Sequence, residues 1–88
     1  MQSEVAALSR SVLQLKENES AIVTAVRAGD SLKNELAAHG LTVGAEIRFI
    51  KSAPLGDPIQ LRVMGGSLCI RKRDAEGIFV SEMGGTEA

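Results

Sequence analysis

Tryptophan and tyrosine are absent from this sequence, and Phe49 and Phe79 are its only aromatic residues. Single-strand nucleic-acid binders stack bases on aromatic platforms, and polyproline readers line their grooves with aromatic rings. The chain has the material for neither. It also lacks a charge excess: ten basic and eleven acidic residues leave a formal net charge of −1. A nucleic-acid surface calls for a basic patch, and so does attraction to an anionic membrane. Cys69 is the only cysteine, so no disulfide forms within the chain, and a lone thiol fits a reducing compartment. No apolar run approaches the ~20 residues of a membrane helix. Met1-Gln2-Ser3-Glu4 lacks the basic-then-apolar order of a secretory signal. The expected compartment is the cytoplasm.

Soft metal ligands are equally scarce. His39 and Cys69 are one of each kind, whereas a structural zinc site takes four protein ligands and a catalytic one usually three. Asp30, Glu35 and Glu76 add carboxylates but no ligand spacing. No metal site and no cofactor are therefore expected, His39 being the single residue worth testing as a ligand. Its plainer role is a helix-end cation favoured by the macrodipole. Cys69 reads as a small, partly buried strand residue. No Ser–His–acid set can be placed around the one histidine, and no strand, glycine-rich loop and helix follow one another as a phosphate cradle requires. An enzyme is not expected.

What is present fits one small globular domain. At 88 residues and 44% hydrophobic, such a chain buries about 60–65% of its unfolded surface. Val5, Leu8 and Val12 share a helical spacing, so residues 1–11 are expected to be a flexible or weakly helical lead-in, with the domain spanning 12–82. Lys16-Glu17-Asn18-Glu19-Ser20 reads as a turn, and the β-branched run Ala21 to Val26 as a strand. In the next segment, Asp30 or Ser31 can cap a helix. Leu32 and Leu36 share its face, and Gly40 stands where a helix ends in the left-handed conformation. Too short to be stable alone, this helix needs Leu32, Leu36 and Leu41 to pack on a sheet.

Ala45, Ile47 and Phe49 then alternate with Glu46 and Arg48, until Ile50 is apolar out of turn. Such a phase slip predicts a β-bulge, the kind of bend that curls a short sheet. Ala53-Pro54-Leu55-Gly56-Asp57-Pro58-Ile59 holds both prolines. Each proline fixes φ near about −65° and removes a donor, and each pushes Ala53 or Asp57 towards extended backbone. Gly56 between them tolerates positive φ. The stretch is therefore a shaped loop joining two strands. Ile59, Leu61 and Val63 alternate up to Gly65-Gly66, a two-residue hairpin signal. That loop would set Met64 opposite Ser67, Val63 opposite Leu68, Arg62 opposite Cys69 and Leu61 opposite Ile70. Asp74 to Gly77 reads as a tight connection or a helical turn, Ile78 to Val80 as the last strand, and 83–88 as a disordered tail. The sum is mainly β: a small SH3-like five-stranded barrel, partly open, with one short α-helix. Arg71-Lys72-Arg73, with Arg62 on the facing strand, is either a solvated edge or a patch for an acidic partner.

The run Ala53 to Ile59, the hairpin after it, Leu68-Cys69-Ile70-Arg71-Lys72, and the upstream Leu36-Ala37-Ala38-His39-Gly40-Leu41-Thr42-Val43-Gly44 resemble the FeoA family, the small ferrous iron transport protein A. The likeness covers roughly residues 12–82. It implies an SH3-like barrel without enzymatic activity. It also implies a part in ferrous iron uptake beside FeoB, the membrane transporter with a cytoplasmic GTPase region, which such proteins are thought to bind. The expected contacts are the proline loop (Pro54, Leu55, Asp57) and the helix–turn (Leu36, Leu41). The competing expectation is a metal-responsive module, since the same fold type is similar to the C-terminal domain of iron-dependent DtxR-type repressors. Open sheet edges also allow weak self-association.

Overall fold

Alternation along the chain produces six strands in one antiparallel sheet, in the order β1-β6-β2-β3-β4-β5. The computed structural model of the protein describes residues 9–64 and 66–82. The first eight residues of the expected lead-in, the expected tail 83–88 and Gly65 lie outside the described residues. The strands are β1 (Arg10–Ser11), β2 (Ser20–Val26), β3 (Glu46–Ser52), β4 (Ile59–Val63), β5 (Gly66–Ile70) and β6 (Ile78–Glu82). A 3-10 turn, Val12–Gln14, follows β1. The helices are α1 (Asp30–Ala38) and α2 (Lys72–Ala75). The fold is the mainly β, SH3-like one expected, with a sheet that does not close: β1 and β5 are its edges.

Its curvature comes from two register shifts. The β3–β4 ladder slips between Phe49 and Lys51, where Ile50 broke the alternation, and β2–β6 slips between Val23 and Ala25. Each inserted residue bends its strand and increases the twist. The concave face then closes on a core that includes Val12, Val23, Ile47, Leu61, Ile78 and Val80. Among the described residues no polar or charged side chain is buried, so the core carries no unpaired polar group to offset hydrophobic gain.

Several expectations are corrected. Arg10–Ser11, placed in a flexible or weakly helical lead-in, is a strand paired with Val80 and Phe79. It is anchored from the side: Arg10 Nη2 donates to Glu19 Oε2 at 2.6 Å, and Lys16 N donates to Glu19 Oε1 at 2.9 Å. The polar turn thus holds the first strand, with Asn18 at φ 69°. Two residues carry too little periodicity to read as a strand. Ser81 and Glu82, beyond the expected last strand Ile78 to Val80, extend β6 and pair with Ile22 and Ala21. The helical turn weighed for Asp74 to Gly77 does form but starts two residues earlier, at Lys72, giving a second short helix.

The β4–β5 hairpin is displaced by two residues from the expected register. Val63 faces Gly66, Leu61 faces Leu68 and Ile59 faces Ile70, so the connection begins at Met64. Met64 takes the positive φ, 45°, that a tight two-residue hairpin loop demands. A shift of two leaves every side chain on the same face, because the strand period is two. Alternation is blind to it.

The helix α1 is capped by Gly29, with no side-chain cap, rather than by Asp30 or Ser31. Asp30 is its first residue, where a carboxylate favours the dipole. Its C-terminus matches expectation: Gly40 has φ 93°. Gly40 N bonds Ala37 O at 2.9 Å, and Leu41 N reaches back to Leu36 O at 3.0 Å. These are the two bonds of a Schellman motif.

Candidate docking surface at the proline loop

The proline loop is shaped by its own backbone. Gly56 N donates to Ala53 O at 2.7 Å, closing a four-residue turn, and Ala53 N donates to Pro58 O at 2.9 Å. Gly56 has φ 91° and the Asp57–Pro58 peptide is cis. Pro54 occupies the second position of the turn, where its fixed φ is favourable. Leu55 occupies the third, and is 95% exposed. Pro54 and Asp57 are exposed as well.

Asp57 has a structural task that the sequence did not reveal. Its Oδ1 accepts from Lys72 N at 2.9 Å. The residue before α2, Arg71, makes no side-chain cap bond, so Asp57 supplies from the loop the acceptor that a helix N-terminus lacks. The bond also clamps the loop against the start of α2. The basic run Arg71-Lys72-Arg73, all exposed, is thereby brought beside the loop. On the other flank a groove of about 470 Å³ runs along Lys51, Pro54, Pro58, Ile59, Gln60 and Cys69. Cys69, expected to be partly buried, is exposed, because Ser67 and Cys69 point away from the core-facing Leu68 and Ile70.

Leu36 and Leu41, the other expected contact residues, are core. Leu36 is 3% and Leu41 1% exposed. They are the third-last helical residue and the second residue past the cap of the Schellman motif, two positions that commonly meet in an apolar contact. What stands exposed around this turn instead is Val43, at 64%, and, from the β4–β5 connection, Met64, at 82%. Met64 lies over Gly40, where an added Cβ would stand 2.5 Å from its Cγ. A shallow hollow of about 350 Å³ next to it is lined by Glu46, Ile47, Arg48, Arg62 and Met64. The loop adjoins the Ser52–Ile59 end of the β3–β4 pair and Met64 the opposite end. At about 3.4 Å per residue, the seven residues of β3 separate the two by roughly 20 Å. The fold therefore does not unite the proline loop and the helix–turn in one surface.

His39 is the exposed C-cap of α1. Among the described residues no group of three or more His, Cys, Asp or Glu side chains is placed to hold a metal ion. Among them, too, no helix is long and apolar enough to cross a membrane.

Comparison with known proteins follows this geometry. No curated protein matches the chain. The FeoA domain family model matches residues 10–82. The structure is similar to a FeoA protein from Chlorobium tepidum, with 37% identity over 83% of this chain and 70% of that one and a TM-score of 0.80. It is similar to a FeoA-like protein from Clostridium acetobutylicum, with 28% identity over 85% and 87% and a TM-score of 0.74. ScaR, solved with bound Zn2+, shares 26% identity over 84% of this chain at a TM-score of 0.73, and the chain spans 37% of its length. A family match that starts at β1 and ends at the last residue of β6, joined to this sheet order, leads to one assignment: the chain belongs to the FeoA family.

Proposed function

We propose that the protein is a non-enzymatic cytoplasmic accessory of ferrous iron uptake, which binds the cytoplasmic GTPase region of a FeoB-type membrane transporter and regulates or assembles it. Family membership supports the iron-uptake setting. The observation that carries the docking role is Leu55: a large apolar side chain, 95% exposed, on a loop held by three hydrogen bonds. Turn geometry accounts for Pro54, Gly56 and Pro58, and the bond to Lys72 accounts for Asp57. Nothing within the fold accounts for a leucine at the corner. A pre-shaped loop loses little conformational freedom on docking, and burying such a side chain contributes about 1.5–3 kcal/mol.

The test is a binding measurement between the full-length chain and the transporter. Leu55→Asp leaves the melting curve unchanged, since the side chain touches no core, and abolishes or strongly weakens capture. A folded Leu55→Asp protein that binds like the wild type would sink the loop assignment.

The likeness to ScaR, a protein solved with bound Zn2+, favours a second reading, a metal-responsive module. Titrating Fe(II) or Zn(II) while following thermal unfolding separates the two. A saturable rise in melting temperature, lost in His39→Ala, supports metal binding, because a ligand of the native state stabilises it by mass action. No rise ends that reading.

A further inference from the structure

The proline loop and the basic run are separate features in the sequence, and the fold makes them neighbours. Asp57 and Lys72 lie 15 residues apart and share a hydrogen bond of 2.9 Å. Two residues of chain reach at most about 7 Å, so the Leu55 backbone lies within roughly 15 Å of the Lys72 backbone. Lys51 lines the groove on the other side of the loop. Lys51, Arg71, Lys72 and Arg73 are all exposed. Among the described residues none of these four side chains is held in an ion pair. The chain as a whole is slightly acidic, whereas here four cations face the three carboxylates of Asp57, Asp74 and Glu76, so the region around the exposed leucine carries a positive excess of one and departs from that average.

We infer that Leu55 and the cations Lys51, Arg71, Lys72 and Arg73 form one composite docking surface, and that its occupant is a protein with an apolar socket for Leu55 rimmed by carboxylates. The inference rests on the transporter-binding reading and adds the chemistry of the partner's surface. Leu55 supplies the desolvated anchor. The cations act at a range comparable to the Debye length, about 10 Å at 0.1 M salt, and so govern encounter and salt dependence. An anionic lipid surface is the less suitable occupant. A single leucine offers far less apolar area than an interfacial helix inserts. Glu76, exposed at the end of α2, would also meet a flat layer of anionic headgroups, whereas a socket can be shaped to leave it in water.

The experiment measures binding of the full-length chain to the detergent-solubilised, full-length FeoB-type transporter, with three proteins: wild type, Leu55→Ser, and the triple variant Arg71→Gln/Lys72→Gln/Arg73→Gln. The Asp57 bond uses the backbone amide of residue 72, so the triple variant keeps the loop clamp, and matching melting curves confirm it. Leu55→Ser is expected to weaken binding by at least about 10-fold at every salt concentration. The triple variant is expected to weaken it by about 5-fold or more at ~50 mM salt, the gap closing towards parity at ~500 mM. If the wild type binds and the triple variant equals it at low salt, the composite surface is refuted while the transporter reading stands. If the wild type does not bind at either salt, the transporter reading fails and this inference falls with it. Sedimentation of the wild type, but of neither variant, with phosphatidylserine/phosphatidylcholine vesicles would assign the surface to a membrane instead, and overturn it too.

Discussion

Gly77 closes the turn between α2 and β6, and replacing it with alanine is the most informative stability experiment on this fold. Its carbonyl oxygen accepts from Arg27 N at 2.7 Å, which ties the end of β2 to the turn. The two backbones approach so closely that a Cβ on residue 77 would overlap the Arg27 carbonyl oxygen and stand 3.2 Å from its carbonyl carbon. The obstacle is main chain, so it cannot swing aside; β2 or the turn must move. Forced overpacking costs about 1–3 kcal/mol, and loss of the hydrogen bond about 0.5–1.5 kcal/mol. Gly77→Ala is therefore expected to destabilise by about 2–4 kcal/mol. For a domain of this size each kcal/mol lowers the midpoint by roughly 4–8 °C, which places the shift at roughly 8–32 °C. Thermal unfolding followed by circular dichroism measures it, with urea titration to confirm an unchanged m-value. Gly29→Ser is the control: nothing lies within 4 Å of its Cβ position, and the hydroxyl supplies the cap that α1 lacks, so its midpoint stays level or rises by a degree or two. Because Gly77 lies two residues past the helix that carries Lys72 and Arg73, partner binding should weaken along with stability. A Gly77→Ala midpoint within about 3 °C of wild type would refute the close approach of the two backbones.

Three further outcomes follow from named contacts. Asp57→Ala removes the acceptor for Lys72 N and should cost about 1 kcal/mol, while Asp57→Asn, which keeps an acceptor, recovers most of it; faster hydrogen exchange at the Lys72 amide in the alanine variant alone would confirm the cause. Glu19 has its pKa lowered, first by the hydrogen bond from Lys16 N and then by Arg10, so its contribution is present above the ordinary carboxylate value of about 4.3 and is lost as pH falls through the depressed folded-state value. Acid unfolding of Glu19→Gln should show a shallower pH dependence below about pH 4, and identical slopes would contradict the contact. Arg48 stands directly opposite Arg62 in the β3–β4 ladder and donates to Ser20 Oγ at 3.4 Å; Arg48→Gln keeps a donor for that exposed bond and removes the like charge, so stability at low salt should rise by a few tenths of a kcal/mol, about 0.2–0.5, and a lowered urea midpoint would count against that register.

The elements legible in the sequence are those whose signal is local. The alternation Ile47, Phe49 and then Ile50 revealed both a strand and the place where its register slips. Gly40 revealed the end of α1, because a left-handed residue there has one cheap solution. Gly56 revealed its turn for the same reason. The elements that stayed hidden depend on partners distant in the chain. Arg10–Ser11 becomes a strand only because Val80 and Phe79 lie alongside and Glu19 holds Arg10. Leu36 and Leu41 were expected both to pack on the sheet and to meet a partner; the Schellman turn folds them inward, so the packing holds and no surface is left for the contact.

The amino-acid sequence by itself determined the class of this protein: a small, mainly β domain with a bent third strand, a helix ended by Gly40, a double-proline loop and the motifs of the FeoA family. Periodicity of side chains and the backbone limits of proline and glycine carry that information within a few residues. The tertiary structure alone decided the β4–β5 register, which alternation permits in steps of two. It alone decided that Asp57 serves α2, and that Leu55 and the Arg71-Lys72-Arg73 run occupy one region of the surface. Those outcomes rest on hydrogen bonds and packing between segments far apart in the chain, and no local pattern encodes which distant group will be met.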